Sequence, residues 1–284
     1  MTVEAYAKVN LTLEVYGRRP DGYHALRSVV QPIGLADTLE VELTGDGVVA
    51  SDTGYGEDDL VVKAARRLLA GRSLGCRVRV VKRIPAGGGL GGGSADAAAA
   101  LLALNRLLGR QETPEALARI GAEVGSDVPA LVLAQHYGGP VLMEGRGERV
   151  SLLPEPLVRR LPGASAVLVL ANPGVHSSTP EVFARCTPRA GEPEGEPDLR
   201  PGNDLQAAAT ALHPEIAEAL RALREAGASP ALMSGSGATV FGFAESGKGA
   251  ERIVREMRAR GCSAWICALR RRRSRPANEA DGAC

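Results

Sequence analysis

From Val3 to Val15 the chain alternates without a break, with Val3, Ala5, Ala7, Val9, Leu11, Leu13 and Val15 on one side and Glu4, Tyr6, Lys8, Asn10, Thr12 and Glu14 on the other. A period of two predicts a half-buried strand that carries Lys8 and Asn10 side by side on its polar face. A polar loop, GRRPDGYH, follows, then strand-like runs over residues 29–33 and 38–43, a helix over 58–69 and a strand in CRVRVVKRIP. An Ala- and Leu-rich helix leaves a glycine run at residues 87–93, and Thr113-Pro114 opens another helix. Pro154, Pro156 and Pro162 then interrupt the pattern and SAVLVLANP begins a new buried strand, which places a lobe boundary there, with lobes at 1–152 and 153–269. Residues 187–204 hold four Pro, three Gly and three Glu, too little apolar surface to order themselves, and read as a mobile loop. Helical spacing returns over 204–226, ALMSGSGATVFGFAE reads as two strands joined by a glycine turn, and a helix to residue 260 and a strand over 264–269 complete the pattern. Strands and helices in mixed order, without a βαβ repeat, predict an α+β fold.

Composition narrows the class. The 284 residues suffice for two lobes around a real core, and with one Trp, five Tyr and three Phe that core must be built from Ala, Leu and Val. Net charge is +1, but residues 270–284 concentrate five Arg against Glu279 and Asp281, so the body is slightly acidic and does not read as a binder of nucleic acid or membrane. That tail reads as disordered. Five scattered cysteines without a C-x-x-C pair argue against a disulfide scaffold and against zinc, and no protein metal site is expected. The N-terminus lacks a signal pattern and no apolar run approaches a membrane span, so a soluble, cytoplasmic protein is expected, its oligomeric state left open.

Glycine loses the most backbone entropy on folding, so six glycines in the seven positions 87–93 are costly unless the backbone must approach something closely. Directly after them a helix begins, with Ser94 as its expected N-cap, and its first-turn N–H groups are unpaired donors at the positive end of the dipole. A phosphate cradle is the natural reading. It is not a Walker loop, because Ser94 and Ala95 stand where Lys is required, and the G-x-G-x-x-G match through Gly87, Gly89 and Gly92 is nearly automatic in such a run. A second helix follows where a dinucleotide fold needs a strand, which argues against that fold.

Three further features are ambiguous singly. Lys8 is either one more solvated lysine or a partner of Asn10. Asp127, in GSDVPALVL, either caps the next helical turn or is a functional carboxylate set before an apolar run. SGSGA, at residues 234–238, is either a tight hairpin or part of a site.

Together, AKVNLTLEVYG, PAGGGLGGGSADAA and MSGSGATVFGF stand in the order of the three motifs of the GHMP small-molecule kinases, which the chain resembles from about residue 7 to residue 243. KVNLTLEVYGRRPDGYHALRSVV, GSDVPALV, NPGVHSSTPEVF and NDL are similar to the branch whose acceptor is a cytidine diphosphate sugar alcohol. The family's loop commonly reads G-G-G-S-S; Ala95 replaces the second Ser, while Ser94 remains. The resemblance implies a two-lobed fold with the active site in the cleft, ATP with Mg2+ as phosphate donor, and a small-molecule acceptor phosphorylated on its 2-hydroxyl. It implies Asp127 as the base, Lys8 steadying the carboxylate and the developing charge, and Asn10 at the acceptor. Pro85, Ala86, Gly87, Gly88, Gly89, Leu90, Gly91, Gly92, Gly93, Ser94 and Ala95 would hold the phosphates. Cytosine would lie between Tyr23 and Phe183 with His24 reading its polar edge, and Thr179 and Asp204 would line the same cleft. A kinase for mevalonate or homoserine would share the loop and Asp127 but not need Tyr23 and His24, and a silent nucleotide sensor would not need both Lys8 and Asp127.

Overall fold

The computed structural model describes residues 1–162 and 166–270, so the disorder expected of residues 271–284 lies outside the described residues. Its first sheet is built on two long antiparallel strands, β1 (Thr2–Arg18) and β2 (His24–Thr44). β3 (Val49–Ser51) leads through a single 3-10 turn to α1 (Leu60–Leu68), capped by Asp59, and then to β4 (Gly75–Val81), which pairs with β2. Three helices follow, α2 (Gly92–Leu107), α3 (Pro114–Ala122) and α4 (Val128–Tyr137), with Thr113 and Pro114 opening α3 as the sequence predicts. The hairpin of β5 (Val141–Gly145) and β6 (Arg149–Leu152) returns to the other end of β2.

After the short α5 (Glu155–Val158) come β7 (Val167–Asn172), α6 (Thr179–Arg185), β8 (Gly202–Asn203), α7 (Gln206–Leu212) and α8 (Pro214–Glu225). β9 (Ala231–Met233), β10 (Val240–Ala244), α9 (Gly247–Ala259) and β11 (Ser263–Cys267) close the chain, giving a second sheet in the order β11-β7-β10-β9. The mixed architecture is α+β, as expected.

Several expectations change in detail. The runs over 29–33 and 38–43 belong to one strand, because β1 stays paired with β2 across the intervening residues (Ala5 opposite Asp37, Tyr6 opposite Ala36). The helix expected over 204–226 breaks at His213, where Pro214 starts α8 with no N–H to offer. β1 is not half-buried: Lys8, Asn10, Thr12 and Glu14 are all 6 % exposed or less. Their face is covered by the glycine loop and the second lobe, and each polar group finds a partner, as a buried polar group must.

Residues 187–204, expected to be mobile, are tethered along β1 by charge rather than by apolar burial. Arg189 pairs with Glu14 and Asp204 at 2.7 Å each, and β8 joins β1 in parallel at Thr12 and Leu13. The boundary near residue 152 is therefore crossed back by the second half of the chain. Arg270, assigned to the tail, is docked: its N–H donates to Pro32 O at 3.0 Å and its guanidinium lies over the Tyr6 ring.

Helix α2 is buried on every side, its Ala95, Ala97, Ala98, Ala99, Ala100 and Ala103 permitting close approach of neighbours while Leu101 and Leu104 fill the space left. Leu101→Ala should lower unfolding free energy by about 2–5 kcal/mol, because a rigid helix surrounded by sheet and helices cannot collapse into the cavity. Urea denaturation measures this, and a change below about 1 kcal/mol would show that the core around α2 is loose.

Candidate active site

Lys8 and Asn10 project from β1 between two register shifts in its pairing with β2, one between Tyr6 and Lys8 and the other between Asn10 and Thr12. Such irregularities re-aim side chains beside sites. Lys8 Nζ donates to Asn10 Oδ1 at 2.7 Å and to Gly89 O at 2.9 Å, and lies 3.4 Å from Asp127 Oδ2. Asn10 is held in turn, its Nδ2 donating to Ser28 Oγ at 2.8 Å and Ser28 Oγ to Thr12 O at 2.6 Å. Asp127 occupies the N-cap position of α4, yet its side chain makes no capping bond. The carboxylate instead faces Lys8 and, about one-third exposed, the cleft, so it does not serve as the cap.

The glycine loop lies directly beside this pair. Its carbonyls are committed: Gly88 O accepts from Thr239 N at 3.2 Å, Gly89 O from Lys8 Nζ and from Ser234 Oγ at 2.9 Å, Leu90 O from Lys8 N at 3.1 Å. The N–H groups of Gly89, Leu90 and Gly91 meet no acceptor among the described residues. Carbonyls tied back and amides left free make a surface that prefers an anion. Helix α2 opens at Gly92, with Gly91 at the N-cap in the left-handed region (φ 69°), so Ser94 lies inside the first turn and is not the cap. Pro85, Ala86, Gly87, Gly88, Gly89, Gly91, Gly92, Gly93 and Ser94 line the cleft, whereas Leu90 and Ala95 are fully buried in the core.

What makes glycine obligatory here is a neighbouring protein segment. A Cβ on Gly89 (φ +72°) would sit 2.1 Å from Ser234 O, and one on Gly91 (φ +69°) 3.1 Å from Lys8 Cε. The turn between β9 and β10 packs into the phosphate loop, which gives SGSGA a place in the site.

The cleft, about 950 Å³, continues to Tyr23, His24, Thr179 and Phe183. His24 stacks on Phe183 with ring centroids 5.7 Å apart and planes at 29°. Its Nδ1 is 2.9 Å from Tyr16 O, and since a carbonyl only accepts, Nδ1 carries the proton and a neutral ring offers Nε2 as an acceptor. Phe183 thus faces His24, and Tyr23, half exposed, faces Arg146. Thr179 Oγ1 shares a hydrogen bond with Ser236 Oγ at 2.7 Å. Asp204 is a correction: it lies in a separate groove, accepting from Val15 N at 2.9 Å and from Arg189, and does not reach the cleft. Its neighbour Asn203 holds the glycine turn, donating to Met233 O and Gly235 O at 2.8 and 2.7 Å.

Residue-by-residue reading missed a charge cluster beside the loop, two buried carboxylates held by a partly exposed lysine. Lys82 Nζ bridges Asp37 Oδ2 at 2.5 Å and Asp96 Oδ2 at 2.6 Å. Burial opposes the Lys82 charge, but Asp96 and Asp37 outweigh it and hold the ammonium above its usual range. Burial pushes the Asp96 carboxyl up to about 7, only partly offset by Lys82, and its Oδ1 has no partner. The cue was present as KRIP before the loop and SAD after it, but nothing in their spacing shows that Asp37 joins them.

Two outcomes follow from this geometry. Gly89→Ala should raise the ATP KM at least tenfold, because neither the backbone conformation nor the Ser234 carbonyl leaves room for a methyl group; calorimetric ATP affinity equal to wild type would refute the packing argument. Asp96 has a folded-state value raised from 3.8 to about 7, so the folded chain binds the extra proton between those values and stability falls as pH rises through that window. Asp96→Asn removes this dependence, so the variant should gain relative to wild type from about pH 4 to about pH 7 and level off above. Parallel stability curves would show that Asp96 is ionised throughout.

Comparison with known proteins identifies the family. The GHMP kinases N terminal domain matches residues 59–135, and the GHMP kinases C terminal domain matches residues 194–261. The 4-diphosphocytidyl-2-C-methyl-D-erythritol kinase of Moorella thermoacetica is 39% identical over 277 residues, covering 89% of this chain and 93% of its own length. The enzyme of the same name from Aromatoleum aromaticum is 43% identical over 260 residues, covering 88% and 87%. A crystal structure of 4-(cytidine 5'-diphospho)-2C-methyl-D-erythritol kinase superposes with a TM-score of 0.79 at 35% identity over 95% of this chain and all of that one. A homoserine kinase from Cytophaga hutchinsonii, with a TM-score of 0.69 at 18% identity over 95% of this chain and 96% of that one, shares the fold. The chain belongs to the GHMP kinase family, among the 4-diphosphocytidyl-2-C-methyl-D-erythritol kinases.

Proposed function

We infer that this chain transfers the γ-phosphate of ATP to the 2-hydroxyl of 4-diphosphocytidyl-2-C-methyl-D-erythritol, a step of the methylerythritol phosphate route to isoprenoid precursors. The observation that carries the reading is the placement of Lys8 and Asp127, 3.4 Å apart, against the free amides of the glycine loop in one cleft. Phosphoryl transfer needs alignment and charge stabilisation more than covalent help. Asp127 orients the acceptor hydroxyl and takes its proton. Lys8, held by Asn10 and Gly89, keeps that carboxylate in place and faces the charge that develops on the transferred group. The amides of Gly89 and Gly91 and the first turn of α2 bind the donor phosphates.

Asp127 and Ser94 both line the cleft beside the glycine loop and would hold Mg2+ alongside the phosphate oxygens. When bound, Mg2+ neutralises charge on the β- and γ-phosphates. No helix of the described residues is long and apolar enough to cross a membrane. The cytosine lies against Tyr23 and Phe183, and His24 Nε2 accepts from its exocyclic amine. A uracil carbonyl at that point would oppose an acceptor with an acceptor.

ADP release measured with ATP and the cytidine acceptor, its uridine analogue, mevalonate and homoserine tests the assignment. The cytidine compound should be turned over well, the uridine analogue poorly and the simple alcohols hardly at all; robust activity on a simple alcohol would overturn the acceptor. Asp127→Asn should lower kcat roughly 10²- to 10⁴-fold with a near-normal ATP KM, the range for losing a general base. Near-normal turnover in that variant would remove Asp127 from the role.

A further inference from the structure

The acceptor assigned above has a base at one end and the reacting hydroxyl at the other, joined through a charged diphosphate. Something must meet that charge between Tyr23 and Asp127, and of the basic residues that line the cleft, Lys8, Arg18, Lys82 and Arg146, Arg146 is the one that touches on both ends. Arg146 sits at the tip of the β5–β6 hairpin and lines the cleft. On one side its guanidinium carbon stands 5.3 Å from the centre of the Tyr23 ring. On the other, the hairpin tip is pressed against the backbone next to Asp127, since a Cβ on Gly147 would lie 2.2 Å from Ser126 O.

The same hairpin shows that this cation is uncommitted. Glu144 pairs with Arg27 at 2.8 Å. Glu148 pairs with Arg19 at 2.8 Å, and its second oxygen accepts from the backbone N–H of Arg146 at 2.6 Å. Both hairpin carboxylates are thus occupied by other arginines or by main chain. Among the described residues the Arg146 guanidinium makes no hydrogen bond or ion pair, and it stands over the Tyr23 ring. Arginine's planar fork suits paired phosphate oxygens, and an aromatic face restricts its motion without neutralising its charge.

Resting on the acceptor reading above, we propose that Arg146 is the residue that binds the acceptor's diphosphate, so that this enzyme recognises its substrate by base, charge and hydroxyl in line along the cleft. The test is steady-state kinetics on the full chain, wild type against Arg146→Ala and Arg146→Lys, with CDP and cytidine as inhibitors competing with the acceptor. Arg146→Ala should raise the acceptor KM and the CDP inhibition constant roughly tenfold to a hundredfold, the size expected for losing charge-assisted hydrogen bonds. The cytidine inhibition constant and the ATP KM should stay within about twofold. Lysine should restore part of the loss, as a compact charge without the fork. If the CDP and cytidine constants rise together, Arg146 merely backs Tyr23 and the proposal falls; unchanged CDP inhibition also overturns it. Failure of wild type to phosphorylate the cytidine compound would sink the acceptor reading itself, a result separable from any effect of Arg146.

Discussion

The carbonyl oxygen of Gly89 accepts hydrogen bonds from Lys8 Nζ and Ser234 Oγ, each at 2.9 Å, and so ties together three segments spread over most of the chain. The first strand, the glycine loop and the turn of the second sheet meet at that atom. Because the carbonyl is turned toward the protein, the neighbouring amides are free to face the cleft. A backbone that served as its own partner there would have no free donors facing the cleft. The requirement for glycine follows from the same contact, since only a residue without a side chain lets the Ser234 carbonyl approach so closely.

Charge is handled differently at the two lysines of the cleft. Lys8 is almost fully buried, and removing an ammonium from water costs several kcal/mol unless its three donors are met. Asn10 and Gly89 accept two of them, and Asp127, 3.4 Å away, is the one charged partner. Lys82 instead serves two carboxylates, leaving one Asp96 oxygen unpartnered in the core. That cluster fixes the start of α2 against β2 at a cost in stability, which is tolerable because helix α2 is otherwise wrapped in apolar contacts. Second-lobe residues complete the site in the same spirit, with Asn203 and Asn172 bonding turns rather than facing substrate.

Much of this was legible in the chain. Alternation over residues 3–15 determined the first strand and put Lys8 beside Asn10; the glycine run against an alanine-rich segment determined a loop opening a buried helix; Thr113-Pro114 determined where α3 begins. These are local signals, set by side-chain period and by backbone freedom, and they act within a few residues. The mixed order of elements and the three quoted motifs likewise pointed to the fold and the kinase family.

What only the tertiary structure decided are the long-range encounters. Whether Asp127 caps a helix or faces Lys8 depends on how α4 meets β1, and Asp204, grouped with the cleft by sequence, is drawn away by Arg189. Composition marked residues 187–204 as unable to order themselves by apolar burial, and it could not show the ion pairs that tether them instead. The buried polar face of β1 and the docking of a distant turn onto Gly89 have the same origin. Periodicity records which residues share a face, but what covers that face is set by packing between segments far apart in sequence, and that information is not held in any one stretch of the chain.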